Sequence, residues 1–346
     1  MKQVVSDIVQ FRGSHYEFGI HQAKLLQRSP ILTARKRQWD KRTSRHFIVN
    51  EEKIKVIFQH FSPEIWEELM GLADGLDMSI KEAVREFGGY YFEYGKSGCS
   101  ILMGNDYMIR NYDNDPITYE GRYVLYAPTD GGYATIGPSM QITGRTDGLN
   151  EKGLAVGYNF VNRLRSDDGF VCNMIGRLIL EKCATVEEAV KLLEEIPHRH
   201  SFTYSLVDNT GRNVVVEASA TEVLVREGTV CTNHFENLTK ENRFRMDDSL
   251  RRYQEIEKQQ STIENMYDAY KILNDTDKGV FSKKYGAWAG TIHTTAYSPE
   301  SLHAWIALGG DRLPFIIDFN KWLNGKNINV KQVKGELDAT NGFINR

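Results

Sequence analysis

Apolar residues recur along this chain in two rhythms, and the change between them falls at Gly98–Cys99. Before that point the spacing is mostly helical. Residues 3–11 alternate as a strand. Tyr16, Ile20, Ala23 and Leu26 then recur at helical intervals and predict a helix over 15–27. Residues 31–60 continue as helix, rich in Lys and Arg, with those charges on a solvated face. Ser62 before Pro63 marks an N-cap with proline at the first helical position, and Ile65, Leu69, Leu72 and Leu76 carry the helix on. Ser79 and Glu82 form the capping box of a helix running through Phe87.

From Cys99 onward the period shortens to two. Strands are predicted at 99–104, 107–112, 122–127, 133–137, 141–147 and 153–159, separated by Gly, Asp, Asn and Pro turns. Helices follow at 170–182 and, capped by Thr185 with Glu188, through Ile196. Strands return at 203–208, 213–218 and 222–226, then helices at 244–260 and 262–274. A strand pair at 291–297 and 302–308 closes the pattern, followed by a tail. Strands, two helices, strands and helices do not make the alternating rhythm of a doubly wound parallel sheet. The order suits antiparallel sheets with helices outside. No internal repeat, low-complexity segment or linker divides the 346 residues, so one domain is expected.

Composition narrows the partners. The chain is 41% hydrophobic and 26% charged, with a formal net charge of −3, which gives no reason to expect nucleic acid or an acidic membrane. No apolar run is long enough to span a bilayer, and the first residues lack the apolar core of a signal peptide, so a cytoplasmic location is expected. The four cysteines, Cys99, Cys172, Cys183 and Cys231, have no short metal-binding spacing and are too few for a disulfide scaffold. Cys172 and Cys183 read as buried apolar residues. Cys231 opens a short polar motif and is a candidate to line a site.

Cys99 has different company. Lys96-Ser97-Gly98-Cys99 leads into an apolar strand, Asn105-Asp106 turns the chain, and the returning strand ends in Arg110-Asn111-Tyr112-Asp113. In such a hairpin Cys99, Arg110 and Asp113 share one end of the sheet. A thiol attacks as thiolate and needs a base. The nine histidines include no recognisable Cys/His protease signature. The alternative base is the cysteine's own α-amine, whose pKa of about 7.7–8.0 leaves it partly neutral at physiological pH. That requires the Gly98–Cys99 bond to break, and Gly98 has no Cβ to hinder attack on its carbonyl.

The motifs taken together resemble a known family. They are Tyr16-Glu17-Phe18-Gly19, Gly98-Cys99-Ser100, Arg110-Asn111-Tyr112-Asp113, Gly148-Leu149-Asn150-Glu151-Lys152-Gly153-Leu154-Ala155, Tyr158-Asn159-Phe160 and Cys231-Thr232-Asn233-His234-Phe235. In this order, over nearly the whole chain, they resemble the acyl-CoA:6-aminopenicillanate acyltransferase group (peptidase family C45) of N-terminal-nucleophile hydrolases. That group is related to choloylglycine hydrolases and penicillin V acylases. The resemblance implies an α+β fold, an αββα sandwich of two antiparallel sheets flanked by helices. It implies autocatalytic cleavage between Gly98 and Cys99, giving an N-terminal fragment 1–98 and a catalytic fragment 99–346. It makes Cys99 the nucleophile, Arg110 the cation beside the thiol, and Asp113 the carboxylate that orients the freed α-amine. Asn159 and Asn233 polarise the carbonyl, and Arg252 best fits the family's last arginine, with Arg243 as the other candidate. His234 is expected to support rather than catalyse. Tyr90, Phe92, Tyr112, Tyr158 and Phe160 are candidates for an acyl pocket, though such residues more often fill a core.

The expected activity is an autoprocessing cysteine enzyme. It takes an acyl group from a linear amide or thioester and passes it to water or an amine. No cofactor or metal is expected, with acyl-CoA admitted only as a substrate. The expected partners are a small acyl substrate, the chain's own cleaved N-terminal fragment and a further copy in a homo-oligomer. Two rivals stand beside this reading. One is a conventional Cys-His hydrolase without self-cleavage, using His234 or His293. The other is a non-catalytic binding protein of the same fold.

Overall fold

The computed structural model describes residues 1–33, 35, 50–90, 98–161, 166–242, 246–286, 289–339, 342–343 and 345. The N-terminal part consists of β1 (Lys2–Gly13), α1 (His15–Leu26), α2 (Glu51–Phe61), α3 (Pro63–Leu76) and α4 (Ile80–Phe87). Then come β2 (Ser100–Met103), β3 (Met108–Asn114), β4 (Arg122–Pro128), β5 (Thr135–Met140), β6 (Gly144–Arg145), β7 (Asp147–Asn150) and β8 (Ala155–Phe160). Next are α5 (Cys172–Lys182), α6 (Val186–Glu195), β9 (Phe202–Val207), β10 (Asn213–Ala218), β11 (Val223–Arg226) and β12 (Val230–Cys231). The chain ends with α7 (Asp247–Gln259), α8 (Met266–Asn274), β13 (Gly290–Ser298), β14 (His303–Leu308), β15 (Phe315–Asp318), α9 (Phe319–Leu323) and β16 (Gln332–Leu337).

Among the described residues the strands form two sheets. The larger runs β11-β10-β9-β8-β7-β5-β4-β1-β16, with β6 paired to β5, and the smaller runs β12-β2-β3-β13-β14-β15. Every pairing is antiparallel except that of β1 with β4. The strand alternation explains the layers. Ile101, Met103, Met108 and Tyr112 of the smaller sheet meet Leu125, Ile136, Leu149 and Ala155 of the larger in one core. The opposite face of the smaller sheet buries Leu102 and Ile109 against Ile256 of α7 and Ala269 and Leu273 of α8. The opposite face of the larger sheet buries Val156, Leu206 and Val216 beneath α2, α3, α5 and α6. The result is the αββα sandwich expected from the sequence. None of its described helices is long and apolar enough to cross a membrane.

Several local expectations hold. The expected capping box of Ser79 with Glu82 is formed, and the structure shows a second one, Ser14 with Glu17, at the start of α1. The Tyr16-Glu17-Phe18-Gly19 motif is explained by packing. Phe18 stacks on Tyr126 at 4.1 Å, and a Cβ on Gly19 would stand 2.2 Å from the Glu68 carbonyl oxygen in α3. The two helices therefore touch backbone to backbone. Gly19→Ala is expected to force them apart and cost about 1–3 kcal/mol. An unchanged urea midpoint would show that the helices can separate freely.

Other expectations are corrected. The Ser62 hydroxyl makes no cap bond and donates instead to Glu64 Oε2 at 3.1 Å. The strand expected over 141–147 is broken, because Gln141 and Ile142 adopt left-handed φ values of 56° and 69°. Their turn separates β5 from β6, and a further bend at Thr146 parts β6 from β7. The tail is not a tail, because β16 pairs with β1 and gives it a second neighbour inside the larger sheet. Tyr91, Phe92 and Arg243 lie outside the described residues.

Candidate active site

The hairpin of β2 and β3 builds the site. Gly104 N–H donates to the Tyr107 carbonyl at 2.9 Å, closing the Asn105-Asp106 turn. The ladder then pairs Ile101 with Arg110 and Ser100 with Asn111. With a period of two, Cys99, Arg110 and Tyr112 share the face turned toward the larger sheet. Cys99 is buried, and its sulfur lies 3.3 Å from Arg110 Nη2 and 3.4 Å from the Asp113 backbone nitrogen.

Arg110 crosses between the sheets. Its path runs over Gly157 of β8, where a Cβ would stand 3.2 Å from Arg110 Cδ. The guanidinium then donates to Asp147 Oδ1 at 2.8 Å and to the Tyr158 carbonyl at 2.8 Å from Nη2. It lies 5.2 Å from the ring centroids of both Tyr112 and Tyr158. Both tyrosine hydroxyls point at Met140 Sδ, at 3.8 and 3.6 Å.

Asp113 sits on the other side of the thiol. Thr291 Oγ1 donates to its Oδ1 at 2.6 Å, from the point where the register of β13 shifts between Thr291 and His293. A Cβ on Gly98 would stand 3.4 Å from Asp113 Oδ2, so this carboxyl borders the Gly98–Cys99 peptide. Burial pushes Asp113 up to about 7, against the downward pull of Arg252, Thr291 and Arg110.

Arg252 comes from α7, where Ser249, Arg252 and Ile256 form the buried stripe of an otherwise charged helix. Its Nη1 donates to the Cys99 carbonyl and to Ser100 Oγ, each at 2.7 Å. Its Nη2 donates to Asn233 Oδ1 at 2.9 Å, and its Nε to Asp248 Oδ2 at 2.9 Å. Asn233 and Asn159 form a reciprocal clasp between the sheets. Asn159 Nδ2 donates to the Cys231 carbonyl at 3.0 Å, and Asn233 Nδ2 donates to the Phe160 carbonyl at 2.7 Å. An amide nitrogen carries two N–H donors, so Asn233 keeps one beyond the clasp, while the Asn159 amide also reaches the Cys231 thiol. Asn159 Oδ1 is buried without a hydrogen-bond partner among the described residues.

The structure thus brings Gly98, Cys99, Arg110, Asp113, Arg252 and Asn233 into one connected cluster, with Asn159 joined through Cys231. Two members were not read from the sequence, Thr291 and Asp147. Neither histidine is set up as a base. His234 is hydrogen bonded to Thr232 Oγ1 and Ser249 Oγ, and burial with Arg226 and Arg252 nearby lowers it to about 4. His293 stacks on Tyr112 at 4.8 Å, and burial lowers it also to about 4. The other three cysteines are buried, and burial raises all of their thiols.

Comparison with known proteins identifies the family. The model of the acyl-coenzyme A:6-aminopenicillanic acid acyl-transferase family matches residues 102–313. That is more than half of the chain, and the chain belongs to this family. It is an enzyme of the type that hydrolyses amides or transfers acyl groups. The matched region is narrower than the nearly whole-chain resemblance expected, and it begins just after Cys99. Among solved structures, the chain resembles penicillin V acylase from Agrobacterium tumefaciens at 20% identity and a TM-score of 0.44, over 65% of this chain and 86% of that one. It also resembles a variant of conjugated bile acid hydrolase from Clostridium perfringens at 16% identity and a TM-score of 0.45, over 70% and 98%. A third is the Caenorhabditis elegans ortholog of N-acylethanolamine-hydrolyzing acid amidase, at 14% identity and 0.40, over 59% and 93%. Comparison with curated proteins finds no match.

Proposed function

We propose that this chain is a self-processing cysteine amidase or acyltransferase with Cys99 as its nucleophile. One observation carries the reading. A buried thiol directly follows Gly98, lies 3.3 Å from a guanidinium, and has the Asp113 carboxyl bordering the peptide before it. In the first step Cys99 Sγ attacks the Gly98 carbonyl carbon. The C–N bond breaks as the C–S bond forms, and the thiol proton passes to the departing nitrogen. Water then hydrolyses the thioester, leaving a Gly98 carboxylate and a free α-amine on Cys99.

That amine becomes the base of the mature site. It accepts the thiol proton, with Asp113 orienting it. The sulfur attacks the substrate carbonyl and the amine returns the proton to the leaving group. An oxyanion donor is supplied by the second N–H of Asn233, or by the Asn159 amide if it turns from Cys231, of a kind worth about 3–4 kcal/mol in the transition state. The acyl-enzyme passes to water or to an amine, and the chemistry up to it is common to both. The substrate class is a linear acyl amide or thioester, acyl-CoA included, with no metal or cofactor taking part.

Intact mass of fresh protein tests the reading. Wild type is expected as two fragments of about 11 and 28 kDa, in proportion to length, and Cys99→Ala as one chain of 39.6 kDa. Cys99→Ser is expected to cut slowly, since a hydroxyl can make the same acyl shift. An intact wild-type chain that turns over amides would hand the site to a conventional cysteine hydrolase.

A further inference from the structure

We propose that Asp147 sets how much positive charge Arg110 presents to the Cys99 sulfur, and so acts as a positioning and charge-tuning residue for the nucleophile. This rests on the reading of Cys99 as nucleophile but is tested separately from it.

Asp147 opens β7 in the larger sheet, and both it and Arg110 have fully buried side chains. The guanidinium is shared between its two ends. Nη1 faces Asp147 Oδ1 at 2.8 Å, and Nη2 faces the sulfur at 3.3 Å. Three hydroxyls hold the carboxylate. Thr146 donates to Oδ1 at 2.7 Å, while Thr295 and Tyr297 donate to Oδ2 at 2.6 and 2.7 Å. Burial alone would raise this carboxyl, but Arg110, His293 and the Thr295 and Thr146 hydroxyls outweigh it and hold it below the usual range. A buried anion with four donors is permanently charged and fixed in place.

The chemistry gives such a counter-charge a purpose. A bare guanidinium against the sulfur would favour thiolate at all working pH values. A thiolate of that kind is a poorer nucleophile, because nucleophilicity falls with basicity. The α-amine mechanism needs a thiol that still has its proton to give. Asp147 offsets Arg110 and keeps the thiol basic enough for that exchange. The other charged or titratable groups around the sulfur do not replace it. Asp113 and Tyr112 lie on β3 itself, Arg252 with Asp248 approaches from α7, His293 from β13, and Cys172 from α5. Asp147 is ion-paired to the cation at the sulfur, at 2.8 Å between two fully buried side chains.

The test is an ultraviolet thiolate titration of Cys99, read as the difference between each chain and its Cys99→Ala counterpart. An Asp113→Asn background is used throughout, so that all chains share one state of cleavage. Asp147→Asn removes the negative charge and is expected to move the titration down by about one pH unit or more. Asp147→Glu keeps the charge and should titrate with the parent. A residue that merely fills space would leave the Asn profile in place, and loss of Arg110 from its position would move it up. Either result overturns the proposal. Should Asp147→Asn fail to fold, Thr295→Val removes one donor at nearly constant volume. The carboxylate charge is then less shared with hydroxyls, and the sulfur should titrate higher. No shift, or a downward one, would count against the idea.

Discussion

Asp113→Asn is expected to block self-cleavage while making the folded chain more stable above neutral pH. Asp113 borders the Gly98–Cys99 peptide and can relay the thiol proton to the departing nitrogen. Loss of such a partner costs about 10²–10⁴ in rate, so the variant should remain a single chain when wild type is fully cut. The stability change has the opposite sign because the native carboxyl is raised from 3.8 to about 7. A raised folded value contributes stability that is fully present below about 3.8 and is lost as pH rises through about 7. Above that, the chain buries a carboxylate that burial disfavours. Asparagine keeps an oxygen for the Thr291 hydroxyl but carries no charge. Urea unfolding of Cys99→Ala with and without Asp113→Asn, both uncut, isolates the effect. The gain should be about 2–4 kcal/mol at pH 8 and near zero at pH 4. A gain equal at both pH values would show that charge is not its cause. Cleavage at the wild-type rate would remove Asp113 from the reaction.

The parts of the site that sequence showed are those set by local geometry. A hairpin with a two-residue turn has only one way to place Cys99, Arg110 and Tyr112, because side chains alternate. Asp113 follows from the same count. Arg252 was harder, because α7 is so charged that a solvated face is the ordinary reading of its arginines. The signal was present in Ser249, Arg252 and Ile256, at spacings of three and four, which form its buried stripe. Asp147 had no such signal. Between Thr146 and Gly148 it looks like a turn residue, and Thr295 and Tyr297, which hold it, lie some 150 positions away. The C-terminal strand was missed for a related reason. Val333, Gly335 and Leu337 do alternate as buried positions, but their partner is at the opposite end of the chain. The break at Gln141-Ile142 was invisible because neither residue favours a left-handed backbone. Glu120 Oε2 helps pin that turn from outside by accepting the Ile142 N–H at 3.0 Å.

Arg177→Met is expected to be the most destabilising single change away from the thiol. Arg177 of α5 donates to Glu68 Oε2 at 2.7 Å, to Glu181, and to the Thr143 carbonyl at 2.7 Å, and all three charged side chains are fully buried. Glu181 also meets His15 at 3.2 Å, whose other ring nitrogen meets Asp130 at 2.7 Å. Removing the arginine leaves two buried carboxylates without their cation, a loss of about 3–5 kcal/mol. Replacing all three charges together by apolar residues of similar size should recover most of it, because the cost of desolvating them disappears as well. The cluster also spans the proposed cut. Glu68 and His15 precede Cys99, while Arg177, Glu181 and Asp130 follow it. Strand β1 adds to this junction, since it is hydrogen bonded on both sides to strands that follow Cys99. In a cleaved enzyme, Arg177→Met should therefore release fragment 1–98 at lower urea than wild type, as followed by size exclusion. Equal release of the fragment from both proteins would mean that β1 and apolar packing hold the fragments together without the buried charges.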